Sequence, residues 1–147
     1  MKMTVMKMTV WRGCVVAMFA AGFAATSFAC GYCIEDKIAA VYDHAVVTRA
    51  TAQKHQVVFF AVEGQMPAGD ASRHALEAIA ESAAGVDKGS ARVSIESASL
   101  SVAFNPARAP FAGMERSLSR KLAARGLSVA ILRVMDQPAE LKPAGKR

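Results

Sequence analysis

Three observations predict an α+β protein, a ferredoxin-like βαββαβ antiparallel sheet with an additional N-terminal helix. Between residues 56 and 135, four β-rich runs and two helical stretches follow one another as β-α-β-β-α-β, the order of a split βαβ sheet. The first run, "QVVFFAVEG", is apolar on both faces, with Val57, Phe59 and Ala61 opposed to Val58, Phe60 and Val62. Ahead of that body, residues 34 to 50 repeat apolar side chains at helical spacing.

Each element has its own warrant. Ile34, Ile38, Val41, Tyr42, Ala45 and Val46 form one apolar stripe, with Glu35, Asp36, Lys37 and Asp43 mainly off it, which predicts a single amphipathic helix over 34–50. "TRATAQKH" reads as a polar connection, and residues 56–64 as a strand rich in β-branched and aromatic side chains. "QMPAGD" is a loop whose Asp70 can cap a second helix, "ASRHALEAIAESAAGV", with Leu76, Ile79 and Ala83 inward. "SARVSIES" alternates at Val93 and Ile95, and "ASLSVAF" follows with Leu100, Val102 and Phe104, giving two strands joined tightly. After the loop "NPARAP", Met114, Leu118 and Leu122 recur every fourth residue, and Gly126 stops that helix before the last strand, "LSVAILRVM".

In this topology the first and third strands are central. Two core helices cover one face only, so the apolar second face needs a cover. The amphipathic stretch 34–50 is the expected one, and an apolar face on a partner is the alternative.

Residues 1–29 read as a signal peptide. Lys2, Lys7 and Arg12 make a positive start, "CVVAMFAAGFAATSFA" is apolar, and Ser27-Phe28-Ala29 fits a small-x-small cleavage site. An uncleaved anchor is the competing reading, although the stretch is near the ~18-residue lower limit for spanning and favours Ala and Gly over Leu and Ile. Lipidation of Cys30 is a third, without the Leu usual three places earlier. Loss of the leader lowers the formal charge from +6 to +3, too mild to argue for nucleic acid. The predicted location is the periplasm, or outside the cell.

Cleavage also leaves two thiols, Cys30 and Cys33, in "CGYC". A disulfide across so short a loop constrains little of the unfolded chain, so chemistry is the better reading of the pair. Cys33 falls at the first turn of a helix, where unpaired N–H groups favour an anion and Glu35 and Asp36 oppose one. Two sulfurs at this spacing can face one point, and soft sulfur selects Cu(I), Zn(II) or Hg(II) over hard cations. Cys30 and Cys33 are therefore the candidate metal ligands, for Cu(I) or Zn(II).

No histidine completes the set from sequence. His44 is eleven residues past Cys33, or ~16 Å along one straight helix, too far for one ion to touch both. His55 precedes the first strand, and His74 sits in the first turn of the next helix, with solvent its expected surroundings. Arg116, Arg120, Lys121 and Arg125 read as a solvated helix face, and Glu77 and Glu81 as surface charges. With no Ser-His-Asp set, phosphate loop or paired carboxylates, the sequence predicts no enzyme.

Residues 56–135 resemble a heavy-metal-associated domain. "VVFFAVEG" matches that family's first strand, "ALEAIAESAAGV" its helix ending in Gly-Val, "SVAFNP" its third strand and Asn-Pro turn, and "LAARGLSVAIL" its last helix and strand. The resemblance implies a metal-handling role, but is degenerate at the usual metal loop, where the family's two cysteines fall at Pro67 and Asp70. Met66 echoes a residue that packs in the family rather than binds. The N-terminal CxxC is displaced from that loop: "CGYCIEDKIAAV" resembles the family's cysteine loop and helix without the leading strand. It also shares four residues with periplasmic disulfide isomerases.

The chain thus divides into a signal peptide (1–29), a CxxC motif with amphipathic helix (30–54), a ferredoxin-like domain of heavy-metal-associated type (55–135) and a disordered tail (136–147). The leading expectation is an exported small protein handling a thiophilic ion, copper first, with a metal transporter or envelope protein as partner. A lipidated Cys30 or uncleaved leader adds a membrane tether. The alternatives are a non-catalytic interaction module and a thiol–disulfide redox protein.

Overall fold

The computed structural model describes residues 33–136. The predicted signal peptide, Cys30 and the predicted disordered tail past Asp136 lie outside the described residues. Element order is α1 (Ile34–Val41), α2 (His44–Ala52), β1 (Gln56–Glu63), α3 (Asp70–Glu81), β2 (Arg92–Ser94), β3 (Ser99–Phe104), α4 (Phe111–Ala123) and β4 (Ser128–Met135). The sheet runs β2-β3-β1-β4, antiparallel throughout, so β1 and β3 are central as the ferredoxin-like order requires.

β1 feeds two cores because its side chains alternate. Val58, Phe60 and Val62 join Leu100, Val102 and Phe104 beneath Leu76 and Ala80 of α3 and Met114, Leu118 and Leu122 of α4. Val57 and Phe59 face the other way. With Ala103 they pack against Ile38 and Val41 of α1 and Val46, Val47 and Ala50 of α2, and Tyr42 stacks on Phe59 with centroids 6.3 Å apart. The second sheet face is therefore covered by the chain itself.

The cover differs from the predicted one. The single helix expected over 34–50 is two, broken at Tyr42-Asp43. Asp43 causes the restart: its Oδ1 accepts from the backbone N–H groups of Ala45 (2.9 Å) and Val46 (3.1 Å), an N-cap that satisfies two otherwise orphaned donors. Its Oδ2 holds Arg92 of β2, with Nε at 2.9 Å and Nη2 at 2.8 Å. The break lets the cover turn and follow the twisted sheet, which one straight rod cannot do. α1's last carbonyl, Val41 O, has no partner within its helix and accepts instead from the buried Ser101 Oγ at 2.7 Å. Burial explains the serines on this face of β3: Ser99 Oγ bonds Ser97 Oγ at 2.6 Å, so neither is orphaned.

Three boundaries also differ. α2 runs to Ala52, into the stretch read as a connection. Gly69, with φ +101°, takes the N-cap position of α3, and Asp70 is its first residue. β2 stops at Ser94, short of Ile95, which packs against the main core. α3 holds this short strand: Glu77 Oε1 accepts from Val93 N (3.3 Å) and Glu81 Oε1 from Ala91 N (3.4 Å). Both glutamates are thus structural, against the expectation of plain surface charge.

β4 departs from strict alternation. Phe59 pairs with Arg133 and Phe60 with Ile131, leaving Leu132 as the extra residue of a bulge. Leu132 and Met135 consequently reach the α1–α2 side, whereas Ile131 and Val134 share the face of Phe60 and Val58.

Two outcomes are expected. Phe59→Ala removes the fully buried ring between sheet and cover and lowers unfolding free energy by about 3–5 kcal/mol, measured by urea denaturation. Asp43's carboxyl lies below its ordinary value, chiefly through the Val46 N–H and then through Arg92, against opposing desolvation. A depressed folded-state value means its contribution is complete above the unfolded value of 3.8 and is lost as pH falls through the lower folded one. Asp43→Ala, which loses cap and ion pair, should cost about 1–2 kcal/mol at pH 7. Asp43→Asn, which keeps a cap, should cost less, and its deficit should close in strong acid when denaturation is followed against pH.

Candidate functional site

Cys33 is exposed at the N-cap position of α1, with φ −67° and ψ 165°. Its Sγ–H donates to Asp36 Oδ2 at 3.1 Å, and the same oxygen accepts the Cys33 N–H at 3.3 Å. A thiol and a carboxylate three residues apart thus occupy one helix start. Cys30 lies outside the described residues, so the geometry of the pair is not part of this arrangement.

The helix carrying Cys33 is fixed to the body at several points. Ile38 and Val41 are buried against the sheet, Lys37 Nζ reaches Ala98 O at 3.5 Å, and Glu35 forms an ion pair with Arg133 of β4. Beside it runs a groove of about 460 Å³ lined by Glu35, Ile38, Ala39, Tyr42, His44, Arg133 and Met135. Ile34, next to Cys33, is 53% exposed. His44 lines the groove because the helix breaks before it, so its expected ~16 Å separation along one straight rod does not describe this chain. The groove escaped the sequence reading: its walls come from α1 and β4, and only the spacing of Ile38 and Tyr42 hinted at that face.

The loop where the family resemblance would place a metal is built differently. Gly64 closes β1 at φ +111°, where an added Cβ would sit 2.6 Å from Gly126 O. Met66 packs against the main core, while Pro67 and Asp70 are exposed and Asp70 pairs with Arg73 at 3.1 Å. No thiol stands there.

The histidines are dispersed. His44 is exposed and contacts Thr48 Oγ1 at 3.5 Å, and His74, also exposed, contacts Glu77 at 3.2 Å. His55 is half-buried and pairs with Asp87 at 2.7 Å, joining the start of β1 to the segment before β2. Arg116, Arg120 and Arg125 are exposed and Lys121 half-buried; Arg116 and Arg120 bond only carbonyls of their own helix. Among the described residues, no three His, Cys, Asp or Glu side chains converge to hold a metal, and no helix is long and apolar enough to cross a membrane.

No protein-family model matches the chain, and no curated protein matches it. Two solved structures share the arrangement of its body. Oxidised MerP from Ralstonia metallidurans CH34 is 22% identical over 54% of this chain and 99% of its own, with a TM-score of 0.43. A copper-binding domain from HMA7, a P-type ATPase, is 23% identical over 54% of this chain and 96% of its own, also with a TM-score of 0.43. Both are likenesses of fold and assign no residue here a role.

Because Met66 packs against the main core, Met66→Ala should lower stability by about 1–2 kcal/mol, the loss of a half-buried side chain, measured by urea denaturation.

Proposed function

We propose that this protein is an exported, non-enzymatic carrier of a thiophilic metal ion, Cu(I) in the first place and Zn(II) in the second. Cys30 and Cys33 hold the ion and exchange it with a metal transporter or another envelope protein. The observation that carries this reading is the exposed Cys33 thiol at the start of a helix anchored to a ferredoxin-like body. The body's own β1–α3 loop offers no soft ligand.

The chemistry follows from the residue types. Thiolate sulfur selects Cu(I) and Zn(II) over hard cations, and binding releases the thiol protons. Asp36, already the acceptor of the Cys33 S–H, is placed to take one of them. Cys30 is three residues from Cys33, within the reach that lets two sulfurs share one ion. The exposure of Cys33 lets a second protein's thiol approach and take the ion over, as exchange between soft sites requires.

Titration of the reduced protein with Cu(I) against a competing chelator tests the reading. One tightly held ion is expected. Cys33→Ser and Cys30→Ser should each lower affinity by more than the roughly 10–100-fold typical of losing an outer-shell partner. Wild-type affinity no better than that of Cys33→Ser would end the proposal.

A further inference from the structure

The arginines of the described residues divide by what they hold. Arg73, Arg92 and Arg133 pair with carboxylates, and Arg49 reaches the carbonyl of Gly89 on another segment. Arg108, Arg116, Arg120 and Arg125 lie on α4 or beside its ends, are exposed, and meet no carboxylate within ion-pair distance among the described residues. The neighbouring α3 leaves no acid to answer them. Asp70 and Glu77 hold Arg73, and Glu77 and Glu81 accept from amides at the β2 edge.

Geometry sets Arg116 and Arg120 apart from the other two. Four residues apart on one helix face, these like charges destabilise the helix unless something answers them. Each guanidinium folds back over the preceding turn and donates its Nε–H to a carbonyl of α4, Arg116 to Ala112 O at 3.0 Å and Arg120 to Arg116 O at 3.4 Å. That bond fixes one side of each fork and leaves its Nη groups without a protein partner among the described residues. Gly113, three residues before Arg116, supplies the room. A Cβ there would meet nothing nearer than Pro110 at 3.5 Å, so packing does not demand glycine, which costs a helix stability relative to alanine. The result is an open depression of about 670 Å³ lined by Gly113, Glu115, Arg116, Ser119 and Arg120. Ser119 is half-buried in its wall, and its hydroxyl forms no hydrogen bond to the protein among the described residues.

We propose that this depression binds a phosphate monoester of a small polar molecule, with Arg116 and Arg120 gripping the phosphate and Ser119 donating to it. The donor set selects the ligand. One guanidinium fork already fills a carboxylate's oxygens, whereas two forks and a hydroxyl suit the acceptor oxygens of a terminal phosphate, whose charge of about −2 two arginines balance. A phosphodiester, as in a lipid headgroup, carries a single negative charge and fewer free oxygens, and fits less well. The depression is much larger than a bare phosphate and open to solvent, which leaves room for a polar remainder. Glu115 on its wall opposes an anion, but one carboxylate does not cancel two guanidiniums. α4 lies across the sheet from α1, so the site uses different residues from the metal reading.

Calorimetric titration of the full chain with glycerol 3-phosphate at physiological salt tests the proposal. Saturable binding of one equivalent is expected, about fivefold or more tighter than that of the diester dimethyl phosphate. Arg116→Gln and Arg120→Gln should each weaken it about tenfold, the fold-change of one lost charge-assisted hydrogen bond, with the fold unchanged by circular dichroism. Arg108→Gln and Arg125→Gln, at exposed positions outside the depression, should leave affinity within about twofold of wild type, and Glu115→Gln should tighten it. Phosphatidylglycerol vesicles form a second arm and should bind no more tightly than dimethyl phosphate does. An absence of saturation, equal losses from all four arginine substitutions, weaker binding by Glu115→Gln, or arginine-dependent vesicle binding tighter than that of the monoester would each overturn the proposal.

Discussion

Strand β1 carries large side chains on both faces, and both must leave water at once. Val58 and Phe60 are buried by α3 and α4, Val57 and Phe59 by α1 and α2, and all four are essentially inaccessible. A two-helix ferredoxin-like layer serves only the first set. The second obliges the N-terminal segment to fold across the sheet, and much of what is particular to this protein follows from that obligation.

The cover is held by polar contacts as well as by its apolar stripe. Asp43 starts α2 and clasps Arg92, Ser101 takes the last carbonyl of α1, and Arg133 reaches Glu35. Together they set the register of α1 on the sheet and so the location of Cys33. Cys33 is carried at the start of a helix whose Ile38 and Val41 are buried against the sheet. The groove between α1 and β4 arises from the same docking, which sets Glu35, Ile38 and Ala39 of α1 beside Arg133 and Met135 of β4.

Much of the fold was legible in the residues. The βαββαβ order, the central positions of β1 and β3, the inward stripe Met114–Leu118–Leu122 and the need for a cover all come from local periodicity and from the two-faced run at 57–62. What was not legible depends on distant partners. Asp43 looked like an off-stripe polar residue, because its role as a cap becomes necessary only when the helix must bend over a twisted sheet and meet Arg92, 49 residues away. Glu77 and Glu81 looked like solvated charges because the N–H groups they accept belong to β2, a strand too short to announce an edge that needs closing. The distance estimate for His44 assumed one straight helix, whereas the chain breaks at Tyr42-Asp43; His44 still stands apart from Cys33 in its contacts, bonding Thr48.

The candidate site divides along the same line. Sequence alone determined that two cysteines stand three residues apart at 30 and 33, that no cysteine falls in the β1–α3 loop, and that a helix starts just after Cys33, since spacing and residue type need no tertiary information. Only the tertiary structure decided that Cys33 stands exposed beside Asp36, that the helix behind it lies across the sheet's second face, and that among the described residues β4 is an edge strand with Ile131 and Val134 partly exposed. Exposure and contact are properties of how separate segments pack, and no local pattern in β4, apolar on nearly every residue, distinguishes a strand buried on both sides from one left at the rim.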